Sequence, residues 1–160
     1  MRAAALSLLL LLQAAAAWGA EVLRPSAAIL GYDLAGARLE MTPAGALAAL
    51  RAGGFEQVSW SGEAKAPRVW SYRLGETTVE VSQSAGVITS IRYTRRAAGG
   101  LDVGAELAAI KADFDLAAGD CRETLPRAAA CRVVDGDPPK LALTAEIVPG
   151  FMVVQASRLP

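Results

Sequence analysis

"VWSYRLGETTVEVSQSAGVITSIRYT", Val69 to Thr94, is the stretch whose reading decides the fold. It breaks at "GE" and "QSAG" into three runs, Val69–Leu74, Thr77–Ser82 and Val87–Thr94, rich in β-branched and aromatic residues. In the first run Trp70, Tyr72 and Leu74 alternate with Ser71 and Arg73. In the second Val79 and Val81 alternate with Thr78, Glu80 and Ser82; in the third Ile91 and Tyr93 alternate with Ser90, Arg92 and Thr94. Period-two alternation in strands joined by short turns means an antiparallel sheet with one covered face and one wet face.

The natural cover lies just upstream, in "TPAGALAALRAGGF", Thr42 to Phe55. Thr42 is a good N-cap, because its hydroxyl oxygen accepts an otherwise unpaired backbone N–H. Pro43 follows at the first helical position, where its missing N–H costs nothing. Leu47 and Leu50 share one side of the helix Pro43–Ala52. Gly54 suits the left-handed position after the helix, and Phe55 then folds back onto Leu50, as in a Schellman ending.

Sixty residues on, "LAALRA" (Leu47–Ala52) is echoed by "LAAIKA" (Leu107–Ala112), and Asp102 falls opposite Thr42 as a second N-cap. Asp113 stands where the first helix has glycine, so a different ending is expected there. Strand-like runs again follow: Ala130–Val134, Leu141–Ile147 and Phe151–Leu159. The expected fold is therefore α+β, an antiparallel sheet with helices on one face. Two tandem helix-plus-three-strand repeats, residues 20–95 and 96–160, are expected to share one compact domain.

Ahead of this lies "MRAAALSLLLLLQAAAAWGA", with one charge at Arg2, an apolar run from Ala3 to Leu12, and then small residues. That is the plan of a secretory signal peptide, residues 1–19. The run falls short of the roughly 20 apolar residues that a membrane-spanning helix needs. A cut after Gly19 puts Ala17 and Gly19 in the small pockets of signal peptidase, whereas a cut after Ala20 would put Trp18 there. No cysteine follows to carry a lipid. The expected compartment is the periplasm or the exterior, without stable membrane insertion after cleavage.

Sixteen basic residues balance sixteen acidic ones. Such a chain lacks the strong positive field that non-specific binding to nucleic acid requires. Cys121 and Cys131 are the only cysteines, ten residues apart with Pro126 between them. In an oxidising compartment such a pair is read as a disulfide. A redox-active pair would need Cys-x-x-Cys at a helix start, a setting neither has.

"GARLEMTPAGALAALRAGGF", Gly36 to Phe55, also resembles the opening of small bacterial envelope domains in which an "lGMt" phrase starts a helix followed by strands. The plan is similar to the SmpA/BamE family of outer-membrane assembly lipoproteins and, in tandem, to the β-lactamase inhibitory protein family. Met41, Thr42, Leu50, Gly54 and Phe55 carry the resemblance, which spans Gly36 to Thr94 with a fainter echo to Leu159. Glu40 replaces the usual glycine, and the lipid-bearing cysteine is missing. The resemblance implies a fold, a compartment and a protein-binding role, and transfers no inhibitory residue.

The chemistry that the sequence lacks narrows the function. No histidine is present, which removes the commonest general base and the commonest zinc ligand. Ser59, Ser61, Ser71 and Ser90 sit in no nucleophile motif. The acidic pair Asp113/Asp115 reads as helix-end capping, and Asp135/Asp137 in "DGDPPK" as a turn with too few oxygens for calcium. "AGGLDVGAEL" has neither the lysine nor the spacing of a phosphate loop. No metal or cofactor is expected.

Trp70 reads as core, whereas Trp60, in the loop-like "SWSGEAKAP", either anchors a partner or closes the core edge. The leading expectation is a non-catalytic exported binding or accessory protein. It presents Trp60, Arg73, Glu80 and Arg92 on an open sheet face to another envelope protein. The alternative is a carboxylate-dependent cell-envelope hydrolase, recognisable by a pocket with convergent acids.

Overall fold

The computed structural model describes residues 21–62 and 68–160, so the expected signal peptide, residues 1–19, and the expected cut after Gly19 lie outside the described residues. The described residues open with strand β1 (Glu21–Leu23), a short helix α1 (Ser26–Leu30) and helix α2 (Pro43–Ala52). Strands β2 (Glu56–Ser61), β3 (Arg68–Leu74), β4 (Thr77–Ser84) and β5 (Val87–Arg96) follow. Helix α3 (Val103–Phe114) then precedes β6 (Cys121–Thr124), β7 (Ala128–Val134), β8 (Leu141–Val148) and β9 (Phe151–Arg158). The fold is α+β, as the alternation requires. Four strands follow each long helix rather than three, and β1 and α1 fall where no element was expected.

Among the described residues all nine strands form one sheet, ordered β1-β7-β8-β9-β5-β4-β3-β2, with β6 also paired to β7. The β1–β7 pairing is parallel and the others are antiparallel. The register carries one row of side chains across eight strands. It runs Gln57, Tyr72, Val79, Tyr93, Val154, Ala145, Cys131, Cys121. Tyr72, Val79, Val154, Ala145 and both cysteines in this row are buried, in one cluster with Leu47 and Leu50 of α2 and Leu107, Ile110 and Phe114 of α3. The helices therefore cover this face, and the row on the other parity faces outward.

The helix ends obey local chemistry. Thr42 Oγ1 accepts from the Gly45 N–H at 3.2 Å, and Asp102 Oδ1 from the Ala105 N–H at 3.1 Å, as N-caps should. After α2, Gly54 sits at φ +84°, and the Gly54 and Phe55 amides donate to the Arg51 and Leu50 carbonyls, both at 3.0 Å. This is the Schellman pair.

Helix α3 was expected to end differently at Asp113, and the structure corrects that. Asp113 is still helical, and Asp115 takes the left-handed position at φ +50°. The Asp115 and Leu116 amides donate to the Ala112 and Lys111 carbonyls, so the second helix ends as the first does, one residue later. Arg24 reaches this terminus and donates to the Phe114 and Asp115 carbonyls, each at 2.7 Å, a favourable place for a cation.

The "DGDPPK" turn is organised by one carboxylate. Asp135 accepts from the Leu141 and Lys140 amides at 2.7 and 2.8 Å and from the Ser26 hydroxyl at 2.9 Å. The Leu141 amide foremost, joined by Lys140 and Ser26, holds its pKa below the ordinary carboxylate value against an opposing desolvation effect that is second only to Leu141. A depressed folded pKa means that the stabilisation is present above the unfolded value, about 3.9, and is lost as pH falls through the folded value. Asp135→Asn keeps an acceptor oxygen but has no charge to titrate. Melts from pH 7 down to pH 2 should therefore show a smaller acid-induced loss in this variant than in the wild type. Parallel losses would mean that the turn does not depend on the ionised form.

Candidate functional site

On the outward face, Ser71, Glu80, Arg92, Gln155, Thr144 and Arg132 form one row, and Arg73, Thr78, Thr94 and Val153 lie in the next. Arg73, Glu80 and Arg92 thus share a face, as the alternation predicts. A shallow hollow of about 530 Å³ lies over them and is lined also by Thr78, Thr94 and Arg96. Arg96 was missed because the third strand was ended at Thr94. The same parity that selects Arg92 continues to residue 96, and β5 runs that far.

Glu80 lies directly across from Arg92 in the register. Even so, among the described residues none of Arg73, Arg92 and Arg96 makes an ion pair or a side-chain hydrogen bond. Farther across the sheet, Arg132 is occupied by Glu21 at 2.7 Å. The hollow thus combines three arginines without partners among the described residues and two glutamates, Glu76 and Glu80, over strands β3, β4 and β5 and the turn between β3 and β4. Guanidinium forks held this way suit carboxylates, which they bind through paired charge-assisted hydrogen bonds.

Trp60 does not belong to this face. It lies in β2 rather than in a loop, opposite Trp70, whose next partner is the buried Val81 of the helix-covered side. The physical reason is a bulge in β2 between Gln57 and Ser59, which upsets any parity counted along the chain. Trp60 is 62 % exposed because it stands at the sheet edge beyond the helices, while Trp70 is half-buried against the core. The aromatic on the open face is Phe151, paired with Arg96 and 42 % exposed. A second hollow joins Phe151 and Val153 to Arg92, Thr94 and Arg96. The cross-chain pairing of β5 with β9 creates this neighbourhood, and no local pattern could have announced it.

Behind the sheet, on the helix side, a cleft of about 450 Å³ is lined by Tyr32, Asp33, Tyr93, Glu106 and Asp113 among apolar side chains. Each acid there has a structural partner. Asp33 Oδ1 accepts from the Gly36 N–H at 2.6 Å, Asp113 Oδ2 from the Tyr32 hydroxyl at 3.1 Å, and Glu106 pairs with Arg95. Burial, then the charge and hydrogen bond of Asp113 and the charge of Asp33, push the Tyr32 phenol far above its ordinary range, so it stays a donor.

Cys121 and Cys131 are bonded, with an S–S distance of 2.05 Å, and no free cysteine remains. Among the described residues no cluster of His, Cys, Asp or Glu has the makings of a metal site, and no helix is long and apolar enough to cross a membrane. No protein-family model, curated protein or solved structure matches the chain.

Proposed function

We propose that this is an exported, non-catalytic binding module that holds an acidic stretch of another envelope protein against the outward face of β3, β4, β5 and β9. The observation that carries this reading is the set Arg73, Arg92 and Arg96, three guanidiniums without a partner among the described residues around one hollow, with Phe151 beside them as an apolar anchor. Lone surface arginines are ordinary; three on one flat sheet face are a recognition surface for carboxylates. The signal-like start and the Cys121–Cys131 bond support export.

The order of a capped helix and four antiparallel strands, twice over, supports duplication of one unit and the likeness to SmpA/BamE-type domains. Both helices also close with the same hydrogen-bond pair. A carboxylate-dependent hydrolase is the second reading, favoured by the three acids in the helix-side cleft. Each acid also fixes local structure, Asp33 the Gly36 turn, Asp113 the Tyr32 hydroxyl and Glu106 the Arg95 pair, and that structural use weighs against a catalytic role.

The test is charge reversal on the open face. Arg73→Glu with Arg92→Glu should leave the melting temperature nearly unchanged, because exposed charges contribute little to stability. Binding of a glutamate-rich peptide, and capture of partners from envelope extract, should fall at least tenfold. Wild-type binding of the peptide should also weaken steeply with salt, as screening demands. Equal binding and capture by the variant would show the face to be merely solvated.

A further inference from the structure

The helix-side cleft is a hollow for which the open-face reading has no use. It lies where β5 meets β9, with Leu74 of β3, Phe55 and α3 around it. Leu74 is 48 % exposed although its parity points to the covered face, so the helices leave part of that face unfilled. The walls are apolar, from Phe55, Leu74, Ile110, Met152 and Val154, and the Tyr32 and Tyr93 rings stand among them. Pockets of this size that mix apolar walls with a few fixed polar groups are the usual form of a small-molecule site.

The polar groups all carry one sign. The residues lining the cleft include three carboxylates and no lysine or arginine. Arg95 compensates Glu106, while Asp33 and Asp113 make no ion pair among the described residues. Their geometry is set in advance. Asp33 spends Oδ1 on the Gly36 amide and Asp113 spends Oδ2 on the Tyr32 hydroxyl, which leaves Asp33 Oδ2 and Asp113 Oδ1 without a donor among the described residues. Each carboxylate is therefore held by one oxygen and offers the other.

From this geometry we infer that the cleft is a binding site for a small organic cation, an ammonium group on an apolar or aromatic body. Such a ligand places its ammonium between Asp33 and Asp113, and the Tyr32 and Tyr93 rings, which line the same cleft, are the groups that can add cation–π attraction. Its body lies against Phe55, Leu74 and Met152. An anion of the same shape meets two uncompensated carboxylates, and a neutral analogue gains the walls alone.

The test uses phenethylammonium, 2-phenylethanol and phenylacetate as probes of one shape and three charges, followed by amide shifts in NMR on the disulfide-bonded protein. Phenethylammonium should perturb amides around Tyr32, Tyr93, Ala109 and Asp113 and bind at least tenfold more tightly than the alcohol, with phenylacetate weaker still. Asp33→Asn with Asp113→Asn keeps both structural acceptor oxygens and removes both charges. It should weaken the amine at least tenfold and leave the alcohol unchanged. Ala109→Phe, at an exposed position on the rim, should block both ligands without touching the core. Amine shifts scattered over the surface, equal binding of amine and alcohol, or amine binding that survives the double asparagine change would each overturn the assignment. Because the cleft and the arginine face lie on opposite sides of the sheet, Arg73→Glu with Arg92→Glu should leave amine binding unaltered.

Discussion

Replacing Cys121 and Cys131 together by alanine should lower stability by about 2.5–3 kcal/mol, on the chain-entropy account of a loop closed across ten residues. The two cysteines are direct cross-strand partners at one end of β6, on the covered face, and both are buried in the core. Strand β6 is only four residues long, three of them exposed. Its ladder with β7 and this bond are therefore most of what holds it. The loss should be local in consequence: amide exchange in β6 should quicken far more than in β5 or β9. Alanine is the right replacement, since a buried serine hydroxyl would add a desolvation penalty of its own. Alkylating the unfolded, unreduced wild type should add no label. Two labels, or a denaturant midpoint unmoved by the double change, would count against a structural bond.

The same contrast between buried and exposed strands explains what the sequence let one read. Strands β3, β4 and β5 were legible because burial of one face imposes alternation on them, and Tyr72, Val79, Val81 and Ile91 are fully covered. Strand β2 was not legible: all six of its residues are exposed, so burial imposes nothing on "EQVSWS". Trp60 was therefore read as a loop residue, and the bulge that decides which way it faces leaves no mark in the sequence. Bulges are a common way of blunting an exposed edge, and this one sits on the outermost strand.

Of the candidate surface, Arg73, Glu80 and Arg92 could be found because they belong to a single meander. Phe151 could not, because only the β5–β9 register brings it to Arg96. The cleft acids were hidden for the same reason in stronger form: Tyr32 and Asp113 are 81 residues apart in the chain. Asp113 had been read as a solvated cap, a reading open to any aspartate near a helix end.

The two helix endings offer the sharpest test of that kind of reading, because the same backbone motif is built with two different residues. Gly54→Val should cost about 2 kcal/mol, since a β-branched residue resists the left-handed conformation. Space is not the obstacle: a Cβ at Gly54 would meet only Leu74 Cδ1, at 4.0 Å, so the cost is in the backbone. At the equivalent place in α3, Asp115 already bears a side chain at φ +50°. Asp115→Gly should therefore stabilise the protein by roughly 0.5–1 kcal/mol, the conformational penalty being relieved. The carbonyl that Arg24 holds belongs to the backbone and survives the change. Asp113→Gly, two residues earlier and inside the helix, should instead destabilise by about 0.5–1 kcal/mol. Urea melts of the three variants then give opposite signs at positions 113 and 115. If Asp113→Gly stabilised and Asp115→Gly did not, the left-handed residue that closes α3 would stand at 113 and not at 115, and the ending assigned to this helix would be wrong.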